Sequence, residues 1–434
     1  MKQTNKKYKM MVNLMLATVL ALAIIMPTGI SDDFIDDRIS STDDDCDDTG
    51  VGLNTIPDIQ PHSAINTYPS TYDVVDVGTL GGDETFVHAI NDLNQIAGGS
   101  RNENGEWRLF LWEDGEMTDL GADLVGPEDM NNNGLIVGWY DWRAKCWYNG
   151  ELYDLGTFGG HYSWASAVND DGIIVGWAEN ESLVRHAALG NISGWQIDIG
   201  SNWPMESYAT GINEDGVVCG YVRTGYNNFT SFLWDNGEIT ILWEPSLDEQ
   251  YYARDINDEY SIVGDLYHDW DPPWPHTDGW IWNPDTGGHL LPELTGYGEV
   301  DYTEVVANNN AGTIVGQTCV YDVEDSLYGT LWENDTAYAL NDLLDPGSSG
   351  YHIKKSIDIN NNDWILIEAY DHYYDGLVLV PHTPGDIDYD GDVDSSDLLI
   401  LLAYWGTSYA PADINGDGVV NTADLLILLG NWTG

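Results

Sequence analysis

Short β-forming runs broken by polar turns recur along most of the chain. The unit is an apolar residue, Asn, two polar residues, often Gly, and then a β-branched run that ends in Gly. Copies begin at Ile90-Asn91, Met130-Asn131, Val168-Asn169, Ile212-Asn213, Ile256-Asn257 and Asn308-Asn309 and end at Gly98, Gly138, Gly176, Gly220, Gly264 and Gly316. A seventh, Ile359-Asn360-Asn-Asn-Asp-Trp-Ile-Leu-Ile, has lost both glycines. The turn asparagines are spaced by 40, 38, 44, 44, 52 and 51 residues. Each unit also has a second half. Phe110-Leu111-Trp112 leads through Gly115 to Met117 and Gly121, Cys146-Trp147 through Gly150 to Leu152 and Gly156, and Phe232-Leu233-Trp234 through Gly237 to Ile239 and Leu242. Ile281-Trp282 and Leu331-Trp332 begin the same pattern. Asn and Gly tolerate positive φ, so the polar breaks predict hairpin turns, and the apolar runs predict four short strands per unit.

Four-stranded units with a period near forty predict an all-β fold, a β-propeller of about seven blades over residues 72–381. An open array or a β-solenoid is the alternative. The seventh unit ends at Gly376-Leu-Val-Leu-Val380 without its last strand, and a stray copy of that strand, Tyr72-Asp-Val-Val-Asp-Val-Gly78, stands at the start. Residues 72–78 are therefore expected to complete the seventh blade, which would leave no sheet edge exposed. The segments Gly78–Gly82, Ala89–Asn91, Gly156–Gly160 and Ala167–Gly176 resemble the bacterial HAF-type extracellular repeat; His186-Ala187-Ala188 comes nearest to the tripeptide that names it. The resemblance implies a secreted repeat domain.

The last fifty residues differ. Asp386-Ile-Asp388-Tyr-Asp390-Gly391-Asp392-Val393-Asp394-Ser-Ser-Asp397 is followed by Asp413-Ile-Asn415-Gly-Asp417-Gly418-Val419-Val420-Asn421-Thr-Ala-Asp424. Oxygen side chains fall at loop positions 1, 3, 5, 9 and 12 with Gly at 6, while position 7 (Asp392, Val419) offers its backbone carbonyl. That is EF-hand calcium-loop spacing, suited to a cation that takes roughly six to eight oxygen ligands. Each loop runs into Asp-Leu-Leu-Ile-Leu-Leu, which predicts an exiting helix with the position-12 carboxylate in its first turn. Pro381 and Pro384 before the first loop and Pro411 before the second leave no entering helix. A loop with only its exiting helix, duplicated at a spacing of 27, resembles a type I dockerin over residues 385–434. The resemblance implies a small all-α domain, two Ca2+ ions and a cohesin-type partner or cell-surface component. It also implies partner selection at loop positions 10 and 11, here Ser395, Ser396, Thr422 and Ala423.

Charge narrows the partners. With 73 Asp+Glu against 14 Lys+Arg the net charge is −59, which repels nucleic acid and anionic membranes. Adaptation to a saline habitat and plain calcium and solvation chemistry both account for the acidity. Lys2, Lys6, Lys7 and Lys9, the apolar run Met10–Met26 and the small residues Gly29 and Ser31 predict a signal peptide over 1–31, secretion, and no membrane span after cleavage. Residues 32–71 are expected to be an acidic, disordered linker. Cys46, Cys146, Cys219 and Cys319 are too scattered for a disulfide framework or zinc site, and read as isolated buried thiols.

No catalytic motif stands in a credible context, and Asp and Glu are too abundant for any pair to single itself out. The 19 Trp and 26 Tyr are more informative. Trp112, Trp147, Trp234, Trp282 and Trp332 sit at repeat positions and are expected to pack blades. Trp139-Tyr140-Asp141-Trp142 and Tyr267–His276 fall in variable loops, where rings beside carboxylates suit carbohydrate, so Trp270, Trp274, His268 and His276 are candidate ligand contacts. The expected whole is a secreted, non-enzymatic binding or scaffold protein with a docking module. The alternative is a dockerin-bearing polysaccharide hydrolase or lyase with its site in the propeller.

Overall fold

A computed structural model describes residues 71–121, 126–225, 228–244, 249–268, 276–321, 327–345, 348, 350–372, 374–388, 393–415 and 418–433. The signal and linker expectations, Trp270, Trp274, Asp390, Asp392 and Asp417 lie outside these. The described strands form seven four-stranded antiparallel sheets. The first runs Gly81–Ile90, Ile96–Asn102, Trp107–Glu113, Glu116–Asp119, in spatial as in chain order. Five more repeat this meander. The seventh takes Ile353–Ile359, Ile365–Ala369 and Leu377–Pro381 from the end of the repeats and Tyr72–Asp76 from their beginning. Tyr72 pairs with Pro381 and Asp76 with Leu377, so the expected closing strand is present in register. The first strands of neighbouring sheets touch all the way round, including seventh to first, so the sheets are blades of a closed seven-bladed propeller with those strands innermost.

Three repeated sequence features now have physical reasons. Residue four of every Asn turn has positive φ: Gly134, Gly172, Gly216 and Gly312, and also Asn94, Tyr260 and Asp363. The glycine that ends each β-run faces the first strand so closely that a Cβ at Gly176 or Gly220 would meet a backbone oxygen at 2.1 Å. The repeat tryptophans Trp112, Trp147, Trp234, Trp282 and Trp332 pair across the ladder with the opening residue of their second strand. Trp112, Trp234 and Trp332 are buried and the other two half-buried, as blade packing requires. The core is spread along the joints between blades; Val87, Phe110, Trp112, Trp364, Leu366 and Val378, for instance, seal the first against the seventh.

Every first strand carries a register shift one residue before its last two positions, so each blade has a β-bulge there. The bulged residues are His88, Glu128, Ser166, Thr210, Arg254, Val306 and Ile357. A bulge re-aims a side chain, and all seven line one central cavity of about 430 Å³.

After the propeller come two helices, α1 (Ser395–Ala403) and α2 (Thr422–Gly430), each leaving one acidic loop. Ile387, Val393, Leu401, Ala412, Val420 and Leu428 form their small common core. No helix among the described residues is long and apolar enough to cross a membrane. Cys146 and Cys219 are buried thiols as expected. Cys319 is not: it is disulfide-bonded, which spacing along the chain does not reveal.

Candidate metal centre and propeller sites

In the first acidic loop the chain turns back on the start of α1. Asp394, at position 9, is the N-cap, accepting from the Ser396 amide at 2.6 Å. Asp397, at position 12, is fully buried and holds the loop from within: its Oδ1 accepts from the amides of Ile387 (2.5 Å) and Asp388 (3.2 Å), its Oδ2 from that of Asp394 (2.8 Å). One oxygen each from Asp386, Asp388 and Asp397 lie within 4.8 Å of one another. The second loop repeats the frame. Buried Asp424 accepts from Asn415 (3.1 Å) and Asn421 (2.7 Å), Asn421 caps α2, and Gly418 at position 6 has φ of 88°. Asp413 accepts from the Gly418 amide at 2.7 Å, and the Asn421 amide group donates to the Val419 carbonyl at 2.6 Å.

These donors are all hard oxygens on tight, amide-braced loops, a set that fits calcium and offers nothing to a softer metal. The loops also clasp each other: Val393 exchanges hydrogen bonds with Thr433 beyond α2, and Val420 pairs with Gly406 and Thr407 beyond α1. Ser395, Ser396 and Thr422 are exposed and Ala423 half-buried in the first helical turns. In the same domain Leu399, Leu402, Tyr404, Trp405, Leu426, Leu429 and Trp432 are 37 to 69% exposed.

In the propeller, His268 and His276 do come together, joined by Asp278, which sequence reasoning missed. The exposed rings of the other aromatic stretch gather at one rim. Tyr140, Trp142 and Tyr162 are 44, 51 and 43% exposed, and Trp142 lies edge-on to Tyr162 with centroids 6.0 Å apart. Asp141 and Trp142 form a two-residue hairpin turn with φ of 53° and 60°. A left-handed tryptophan costs about 1–3 kcal/mol, and such residues concentrate at functional surfaces.

The cavity holds the other chemistry. Burial raises the Glu128 carboxyl to about 7 although the Trp139 and Trp164 indoles donate to it. Its side chain lines the cavity, as does that of Asp129, which burial also raises to about 7. Asp255 and Asp358 are raised by burial as well, and His88 is lowered by burial to about 4. Arg254 is tethered to buried Asp265 at 2.6 Å. Each of the three aspartates also bonds the next blade, Asp129 to the Val168 amide, Asp255 to Asn308 and Asp358 to Ile90. No Trp, Tyr or Phe lines the cavity among the described residues.

The turn asparagines do more than turn. Each side-chain amide donates to the backbone carbonyl of the next blade's asparagine, 91 to 131 to 169 to 213 to 257 to 309 to 360 and back to 91, at 2.7–3.3 Å. A second ring surrounds it, in which the amide of the following residue donates to the matching side chain of the next blade at 2.8–3.1 Å.

Residues 384–430 match the dockerin type I domain family. No curated protein matches the chain. Solved structures with a similar fold include a prolyl endopeptidase (11% identity, 67% of this chain and 47% of that one, TM-score 0.45). They also include the β-propeller domain of the trilobed protease from Pyrococcus furiosus (10% identity, 69% and 94%, TM-score 0.44). A third is the WD40 β-propeller domain of Doa1 (14% identity, 71% and 96%, TM-score 0.38). This chain thus spans about half the length of the endopeptidase, and likeness at this level carries neither activity nor ligand. Residues 384–430 are a dockerin type I domain, a calcium-binding module, carried behind a seven-bladed β-propeller.

Proposed function

We propose that this is a secreted, non-enzymatic binding protein whose propeller is tethered, through a calcium-folded dockerin domain, to a cohesin-type partner or cell-surface component. The observation that carries the reading is the exposed apolar surface of α1, α2 and the segments that adjoin them. Of the eighteen exposed large hydrophobic residues among those described, nine lie between Leu399 and Trp432. A patch of this kind next to polar selector positions marks a docking face. Two calcium ions would be held by Asp386, Asp388, Asp390, Asp392, Asp394 and Asp397, and by Asp413, Asn415, Asp417, Val419, Asn421 and Asp424. They would supply the folding free energy that a core of six buried residues lacks. The test is capture of the full chain by a panel of cohesin-type domains in calcium and in chelator. Calcium-dependent capture, abolished by Leu399→Asp with Leu426→Asp, is expected; capture that survives both chelator and substitution would sink the reading.

For the propeller the proposed ligand is polysaccharide, stacked on Trp142 and its neighbours. Retardation in polysaccharide-containing gels should weaken several-fold in Trp142→Ala. New reducing ends or unsaturated products, above a no-protein control, would favour the enzymatic alternative.

A further inference from the structure

The fifth blade gathers a second group of metal-ligating side chains, His268, His276 and Asp278. Its second strand ends at His268 and its third begins at Thr277, and the His268 amide donates to the His276 carbonyl at 3.1 Å. His268 and His276 therefore stand opposite each other across the hairpin. Side chains alternate along a strand, so Asp278 lies on the same face as His276, one step further in. The result is a convergence of three donors. His268 Nε2 is 3.1 Å and His276 Nε2 3.5 Å from the same oxygen, Asp278 Oδ2, and one ligand atom from each of the three residues lies within 4.8 Å of the others. The imidazoles stack, centroids 4.5 Å apart and planes 21° from parallel. All three side chains are 21 to 34% exposed, open to an ion from solvent.

The geometry points to a binding site for a zinc-class divalent cation held by His268, His276 and Asp278. Zinc binds imidazole nitrogen and carboxylate oxygen at about 2.0–2.2 Å, which in a tetrahedral shell separates neighbouring ligand atoms by about 3.3–3.6 Å. Of the two separations, 3.5 Å falls in that range and 3.1 Å just short of it. Two imidazoles and one carboxylate are borderline donors, unlike the all-oxygen loops of the dockerin domain, so the two centres select different ions. Three protein ligands leave the fourth position to water or to a ligand. The site stands or falls independently of the docking reading.

The experiment is calorimetric titration of the full chain with Zn2+ in saturating Ca2+, so that the acidic loops do not compete. One zinc site is expected. The double variant His268→Ala with His276→Ala should weaken it by about 100-fold or more, and Asp278→Asn by about tenfold or more. His382→Ala should leave it unchanged, although His382 also sits between two carboxylates, those of Asp73 and Asp345. Cobalt(II) loading should give the intense visible absorption of a tetrahedral site in the wild type and not in the double variant. Failure of the wild type to bind zinc would overturn the proposal. So would unchanged affinity in Asp278→Asn, which keeps every heavy-atom position and decides the matter even if the double variant misfolds.

Discussion

At the residue scale, the turn asparagines carry a double burden. Asn257 is 5% exposed; its Oδ1 accepts from the Ser261 amide at 2.9 Å and its Nδ2 donates to the Asn309 carbonyl at 2.7 Å. Asn257→Ala strands both partners and should cost about 2–4 kcal/mol in denaturant unfolding. The first bond was legible in the sequence, because an Asn that caps its own turn through the amide four residues on is local chemistry. The second was not: nothing along the chain says that residue 257 meets residue 309, since that contact exists only once the ring has closed. The same limit hid Asp278, whose value depends on ladder register, and the bulged cavity residues, which differ in type from blade to blade. The buried carboxyls give a pH signature. A native pKa raised to about 7 at Asp129, against about 4 in the unfolded chain, means that folding takes up a proton between those values. Stability from this group is therefore full below about pH 4 and is lost as pH rises through about 7. Melting across this range should show the decline, and Asp129→Asn should make it shallower, leaving the part that Glu128 contributes.

At the element scale, seven near-identical hairpin pairs produce a ring because each meander leaves its outer faces apolar and its first strand bulged. Strand number, turn chemistry and the closing segment could all be read from hydrophobic periodicity and a misplaced repeat. The closing strand Tyr72–Asp76 is the most exposed dependency of this design. Pairing with Leu377–Pro381 and the Val74 amide bond to Ser348 Oγ at 3.0 Å are its anchors. A chain that begins after Asp76 should leave the edge of Leu377–Pro381 open and lose cooperative unfolding, with aggregation measurable by light scattering. Unfolding as sharp as that of the intact chain would show that closure contributes little. The C-terminal helices are the opposite case. Nine residues each, they are too short to persist alone, and the capping boxes at Asp394 and Asn421 bind each one to its loop. Helix and metal loop are one element, and neither is expected to order without the other.

At the scale of the whole molecule, a net charge of −59 works against compactness, and the rings of inter-blade hydrogen bonds work for it. Screening should therefore raise the melting temperature of the propeller as sodium chloride goes from low to molar concentration, whereas a flat response would show that its acids are already balanced locally. The same charge draws divalent cations to the two acidic loops, and the central claim is that calcium folds residues 384–430 into a docking module. The most direct measurement is calcium titration of the full chain by calorimetry, with hydrogen exchange read over residues 384–430. Two sites should fill, protecting the amides of α1 and α2, and Asp386→Ala with Asp413→Ala should abolish both the heat and the protection. Helices equally protected in chelator, or calcium binding that survives the double substitution, would contradict it.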